Sequence, residues 1–124
     1  MQISKRCKFV TPILITQVWV KLIMELLDGK VSVWLQSAQF VKAKPGVYVL
    51  YDKNLDAIYI GASENLQQTF ERYVNQDFEN NTCKQKTHTY QRIFIENPKE
   101  RQKEMLDEYK REHGKIPGCN AESD

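Results

Sequence analysis

Two short β-rich runs joined by a five-residue turn-like stretch constrain this chain more than any other feature. Gly46-Val47-Tyr48-Val49-Leu50-Tyr51 and Ala57-Ile58-Tyr59-Ile60 are dense in β-branched and aromatic residues, and Asp52-Lys53-Asn54-Leu55-Asp56 lies between them. Such a pair predicts an antiparallel hairpin. Gly61 permits an unusual backbone angle, and Ser63 is the expected N-cap of a following helix with Leu66, Phe70, Tyr73 and Val74 as its buried stripe. Asn80-Asn81 marks a loop. Thr87 to Ile95 reads as a third strand, with Thr87, Thr89, Gln91, Ile93 and Ile95 on one side and His88, Tyr90, Arg92 and Phe94 on the other.

A last helix opens at Asn97-Pro98-Lys99-Glu100. Asparagine suits the N-cap, proline the first turn, and Glu100 is placed to close a capping box. Met105, Leu106 and Tyr109 form its inner face, and Gly114 ends it. The order strand, strand, helix, strand, helix predicts one α/β (α+β) domain over residues 45–124. Its core is a small antiparallel three-stranded sheet flanked by helices. A length of 124 residues suits one domain, because domains commonly take roughly 100–200 residues.

Residues 1–44 precede this domain as a basic, helical N-terminal extension. Residues 1–45 hold seven lysines and arginines against Glu25 and Asp28, while the rest of the chain is mildly acidic. The front of the chain is therefore where a polyanion's electrostatic attraction is expected. Trp19, Leu22, Ile23, Leu26 and Leu27 share one face of an amphipathic helix at about 17–27, capped by Thr16 and ended by Asp28-Gly29. That face needs cover from the domain's own core, a protein partner, a second copy in a homodimer, or a membrane surface. Residues 31–44 stay open. Val31, Val33 and Leu35 alternate like a strand, while Trp34, Ala38 and Val41 space like a helical stripe.

The lead Lys5-Arg6-Cys7-Lys8 before Phe9 to Ile15 superficially resembles a secretory signal. No small-residue cleavage site follows it, and Gln17 and Lys21 interrupt the apolar run. A membrane span needs about 20 mostly apolar residues, so no membrane association is expected. Cys7, Cys83 and Cys119 are odd in number and widely spaced. They are expected to be reduced thiols of a cytoplasmic protein.

The hairpin also carries a family resemblance. Gly46-Val47-Tyr48, followed after ten residues by Tyr59-Ile60-Gly61, resembles the two-part signature of the GIY-YIG nuclease superfamily. Homing endonucleases and the incision subunit of bacterial excision repair belong to it. Ala62 to Leu66 is similar to the family's strand-to-helix crossing, and Asn120 to its C-terminal end. The resemblance implies phosphodiester hydrolysis with one divalent metal, Mg²⁺ or Mn²⁺. Paired tyrosines would orient or deprotonate the attacking water, an arginine would clamp the phosphate, and a glutamate would hold the metal.

On this sequence the tyrosines correspond to Tyr48 and Tyr59, the arginine position to Thr69, and the glutamate position to Gln102. Threonine cannot clamp a phosphate as a guanidinium does. A glutamine carbonyl is a neutral, weaker ligand for a hard cation. The resemblance therefore implies a weakened or inactive nuclease fold, needing no cofactor and binding nucleic acid or protein. The alternative is an active metal-dependent DNA endonuclease with a rearranged site. It would use Arg72 and His88 with Glu100 or Glu104 as a displaced metal ligand.

Plainer roles stand beside these. Tyr48 and Tyr59 would serve equally as half-buried strand aromatics, and Gln102 as a hydrogen-bond partner of a strand tyrosine. Lys84, Lys86 and His88 around Tyr90 read either as a small nucleic-acid patch or as a solvated loop.

Overall fold

The strand that carries Tyr48 lies inside the sheet and is covered on both faces. In the computed structural model, which describes residues 31–123, β1 spans Ser32–Val33, β2 Gly46–Tyr51, β3 Ala57–Ser63 and β4 Thr89–Phe94. They form one antiparallel sheet in the order β1-β4-β2-β3. Hydrogen-bonded neighbours on both sides leave every residue of β2 buried. The sheet has four strands where the sequence predicts three. The extra strand is a two-residue edge piece, too short to carry a legible alternation.

Trp34 begins the short helix α1 (Trp34–Ser37), which runs into a 3₁₀ turn at Ala38–Phe40. Both open readings of residues 31–44 therefore hold in part: a strand pair, then a buried stripe of Trp34, Ala38 and Val41. Trp34 is the hub of an aromatic cluster. Its ring lies 4.9 Å from Phe70, 4.9 Å from Phe78 and 5.5 Å from Tyr90. The extension's end thus enters the core of the domain. The helix expected at about 17–27 lies outside the described residues.

Helix α2 (Leu66–Asn75) packs over the face that presents Tyr48, Leu50 and Tyr90. The other face, with Val47, Val49, Tyr51 and Ile60, receives Met105 of α3 (Pro98–His113). The N-cap of α2 is Asn65 rather than Ser63. The Asn65 side-chain Oδ1 accepts from Gln68 N at 3.0 Å, while Ser63 still belongs to β3 and its Oγ accepts from Asn65 N. The buried stripe is Leu66, Thr69, Phe70 and Tyr73, and Val74 faces outward. Asn97 precedes α3 as expected but makes no side-chain cap, so the capping box is not formed. Gly114 ends that helix at φ 80°, where a side chain would be strained.

A short helix α4 (Gly118–Ser123) closes the described chain and packs on β3. Cys119 on it is disulfide-bonded to Cys83, with Cα atoms 5.6 Å apart across 36 residues of sequence. This corrects the expectation of reduced thiols. Sequence spacing carries no information on which distant segments the sheet brings together, and here it brings the loop before β4 against the edge of β3. The cytoplasmic expectation rested on those thiols and loses that ground. Among the described residues no helix is long and apolar enough to cross a membrane.

Removing the hub ring tests whether the extension's end belongs to the domain. Trp34→Ala is expected to lower unfolding free energy by about 3–5 kcal/mol, read from urea denaturation followed by circular dichroism. A change below about 1 kcal/mol would place Trp34 outside the cooperative core.

Candidate active site

Regular antiparallel pairing sets the geometry of the two signature tyrosines, and a β-bulge follows just beyond them. Leu50 pairs with Tyr59 while Tyr51 pairs with Ala57, so Ile58 is an extra residue between them. Tyr59 lies two residues before Gly61, the partner of Tyr48, so strand alternation puts it on the Tyr48 face, and both pack in the aromatic cluster with ring centroids 6.0 Å apart. Directly opposite Tyr48 in the ladder stands Gly61. A Cβ at Gly61 would collide with the Tyr48 ring and hydroxyl. Glycine is needed here for room beneath the ring and not for a left-handed angle, since Gly114 is the described glycine with positive φ.

Laid across Gly61, the Tyr48 ring delivers its hydroxyl to Tyr73 of α2, with 2.7 Å between the two oxygens. Both phenols are buried. Burial pushes the Tyr48 phenol well above its ordinary value, with Tyr73 and Tyr59 adding to the effect. Burial likewise raises Tyr73 to about 12. Above the aromatic group sits Lys84. Its Nζ donates to the Tyr73 hydroxyl at 3.3 Å and lies 4.0 Å from the centre of the Tyr59 ring.

Thr69 does lie on the tyrosine face, but inward. It is buried beside Phe70, and its Oγ1 is 2.6 Å from Ser63 Oγ. Arg72 points to the rim, where its Nε donates to Glu79 Oε2 at 3.3 Å, both side chains being exposed. Its charge lowers the Tyr48 and Tyr73 phenols slightly, against the dominant effect of burial. Glu79 is presented by four consecutive residues, Asp77 to Asn80, with φ between 49° and 62°. Such left-handed residues cost roughly 1–2 kcal/mol each. Phe78 offsets this by burying its ring between Trp34 and Tyr73.

Gln102 is engaged with the backbone of β3. Its Nε2 donates to the Ile60 carbonyl at 2.9 Å, not to a strand tyrosine. Asn120 completes the arrangement by accepting from Ile60 N at 2.8 Å and donating to Ile60 O at 2.9 Å. β3 is an edge strand, and these two amides satisfy the outward backbone groups that another strand would otherwise take. The residue so held sits between Tyr59 and Gly61, so the clamp fixes the signature itself.

The remaining expected residues do not join this group. His88 is exposed at the turn end of the hairpin, where its backbone N donates to Tyr51 O and it lines a depression with Asp52, Lys53, Asn54 and Lys86. Glu100 and Glu104 are exposed on α3 and line a different depression, with Glu104 paired to Arg101 at 3.2 Å.

Two members of the cluster escape a reading for chemistry. Tyr73 reads as core, although its place four residues after Thr69 puts it on the same helical face. Lys84 reads either as part of a small nucleic-acid patch or as a solvated loop, and nothing in its neighbours announces burial.

With this geometry in hand, similarity to known proteins is specific. A family model of the GIY-YIG catalytic domain matches residues 44–114, more than half of the chain, and the chain belongs to that family. No curated protein matches it. Among solved structures it is similar to the GIY-YIG N-terminal endonuclease domain of UvrC from Thermotoga maritima bound to its catalytic divalent cation, magnesium. The identity is 20% and the TM-score 0.53, over 68% of this chain and 92% of that one. An asparagine-to-alanine mutant of the same domain gives 20% and 0.53, covering 68% and 91%. A tyrosine-to-phenylalanine mutant gives 16% and 0.51 over the same shares. At such identities the likeness shows the fold.

The residue that the resemblance sets at the metal-binding position does not fit a divalent ion of that kind. Mg²⁺ is usually bound through one or two carboxylates. Gln102, which the resemblance sets at the glutamate position, is a neutral amide engaged with Ile60.

The ring-over-glycine contact is directly testable. Gly61→Ala is expected to displace the Tyr48 ring and cost about 1–3 kcal/mol by overpacking, read as a shift of the urea midpoint at unchanged slope. Unchanged stability, with the Tyr48 ring signals in place, would contradict the contact.

Proposed function

We propose that this chain uses the nuclease fold as a nucleic-acid-binding module and does not cut phosphodiesters by the family's metal-dependent route. One observation carries the reading. The side chains at the two charged positions of the family's machinery are neutral and engaged elsewhere, Thr69 with Ser63 and Gln102 with the Ile60 carbonyl. A hydrolytic site needs a cation to stabilise the developing charge on phosphorus, and losing one such group alone costs about 10²–10³ in rate. The charges that a displaced site would recruit are separated: Arg72 is paired with Glu79, and His88, Glu100 and Glu104 lie on other parts of the surface.

Nucleic acid is favoured as partner by a cationic aromatic group on the tyrosine face. Arg92, directly opposite Tyr48 in the ladder, stacks its guanidinium 4.7 Å from the Phe94 ring centre. Lys44 Nζ lies 5.5 Å from the same ring. Exposed cations beside an aromatic surface suit a phosphate backbone with unpaired bases. The basic residues that precede the described region would add to the same attraction.

Supercoiled plasmid incubated with Mg²⁺ or Mn²⁺ is expected to stay intact. A labelled oligonucleotide is expected to bind with affinity that falls steeply with salt. Lys44→Ala with Arg92→Ala should reduce the magnitude of the salt slope by about 1.4, at roughly 0.7 per phosphate contact of a single strand. Metal-dependent nicking that disappears in Tyr59→Phe would overturn the non-hydrolytic reading. Absence of binding at low salt would overturn the nucleic-acid reading.

A further inference from the structure

Lys84 is the most unusual ionisable group in the described structure. It retains only 8% of its exposure, and its backbone is pinned on three sides. Its N–H donates to Asn81 Oδ1 at 3.0 Å, its carbonyl accepts from the Thr87 hydroxyl at 2.7 Å, and its neighbour Cys83 is disulfide-bonded to Cys119. The Nζ is therefore aimed by a rigid turn between the Tyr59 ring and the Tyr73 hydroxyl. Among the described residues it makes no ion pair within 4.0 Å, unlike Arg72 with Glu79 and Arg101 with Glu104.

A buried ammonium without a counter-charge is costly, and proteins ordinarily supply a carboxylate. An aromatic face and a phenol hydroxyl offset only part of that cost. The position is also telling. Lys84 brings a cation to the tyrosine pair from the loop before β4, while α2 offers a neutral threonine on its inner face.

We propose that Lys84 is the anchor for a phosphodiester anion at the Tyr48–Tyr59–Tyr73 cluster, with the ligand's phosphate supplying the missing negative charge. This rests on the nucleic-acid reading above and adds the residue that seats the phosphate. The groups that face Lys84 are Tyr59 on β3, Tyr73 and Arg72 on α2, Tyr48 on β2 through Tyr73, and Glu79 on the left-handed turn. Burial lowers the lysine's affinity for its proton, Arg72 lowers it further, and Glu79 opposes both. A bound phosphate would reverse the balance, so anion binding and protonation of Lys84 reinforce each other.

The test uses the full chain and a fluorescein-labelled single-stranded 12-nucleotide DNA, followed by anisotropy from low to moderate salt. Lys84→Met is expected to weaken binding by about tenfold or more, the loss of one charged hydrogen bond, and to reduce the salt slope by about 0.7. Lys84→Arg, which keeps the charge, should retain the slope. Binding by Lys84→Met within about twofold of wild type, at unchanged slope, overturns the Lys84 proposal and leaves the nucleic-acid reading standing. No binding by wild type overturns both.

A second measurement covers failure of the methionine variant to fold. In wild-type protein the lysine ¹³Cε signals are titrated with pH, with and without saturating oligonucleotide. The Lys84 midpoint is expected to rise on binding. An unmoved Lys84 midpoint at saturation also overturns the proposal.

Discussion

The contact on which this structure turns is the Tyr48 ring lying flat against a strand position that has no side chain. Gly61 leaves the space, the ring fills it, and the phenol then reaches Tyr73 on α2. That one bond fastens the hairpin to the helix and sets the depth of the cluster. Phe70 meets the Tyr48 ring edge-on at 5.3 Å, and Trp34 locks the helix from beyond. The same contact governs chemistry. A phenol held in a dry aromatic environment against a second phenol resists ionisation, so it is a poor proton acceptor unless a strong positive charge lies beside it.

The edge strand shows how the fold's polar residues have been assigned. Ile60 exposes an N–H and a C=O along the free edge of β3, and both are occupied by side-chain amides from α3 and α4. Gln102 makes a structural bond where the family resemblance implies a metal-binding carboxylate. A glutamate there would set an anion against the Ile60 carbonyl, an unfavourable exchange without a cation between them. The neutral residue and the backbone clamp are mutually consistent, and the same holds for Thr69 with Ser63. Charge persists in the cluster through Lys84, which arrives from a different element.

Much of this was legible in the chain. The hairpin, α2, β4 and α3 follow from runs of apolar residues at the spacing of strand or helix, bounded by turn formers and by Gly114. The two faces of β4 separate as alternation requires, with Tyr90 on the aromatic side and Gln91 bonded to Tyr51 on the other. What escaped has a common physical cause, since it depends on distant segments meeting. A two-residue edge strand carries no period. The Cys83–Cys119 bond joins segments that the sheet alone brings together. Lysine is rarely buried, so the depth of Lys84 has no local signal. Gly61 reads as a backbone device because the ring above it comes from another strand. Asn65 displaced Ser63 as the cap because β3 runs on through Ser63, and its hydroxyl is engaged with Thr69 and Asn65.

The most direct measurement is the alkaline titration of the tyrosine ¹³Cζ signals with and without Mg²⁺. The unfolded phenol ionises near 10, and the folded phenols of Tyr48 and Tyr73 are both displaced upward. The stability they confer is therefore complete below about pH 10 and is lost as pH rises through the folded values. The account predicts that Tyr73 ionises at about 12, that Tyr48 ionises well above its ordinary value, and that Mg²⁺ moves neither signal. A Tyr48 or Tyr73 midpoint at or below its ordinary value, or one that drops when Mg²⁺ is added, would contradict it.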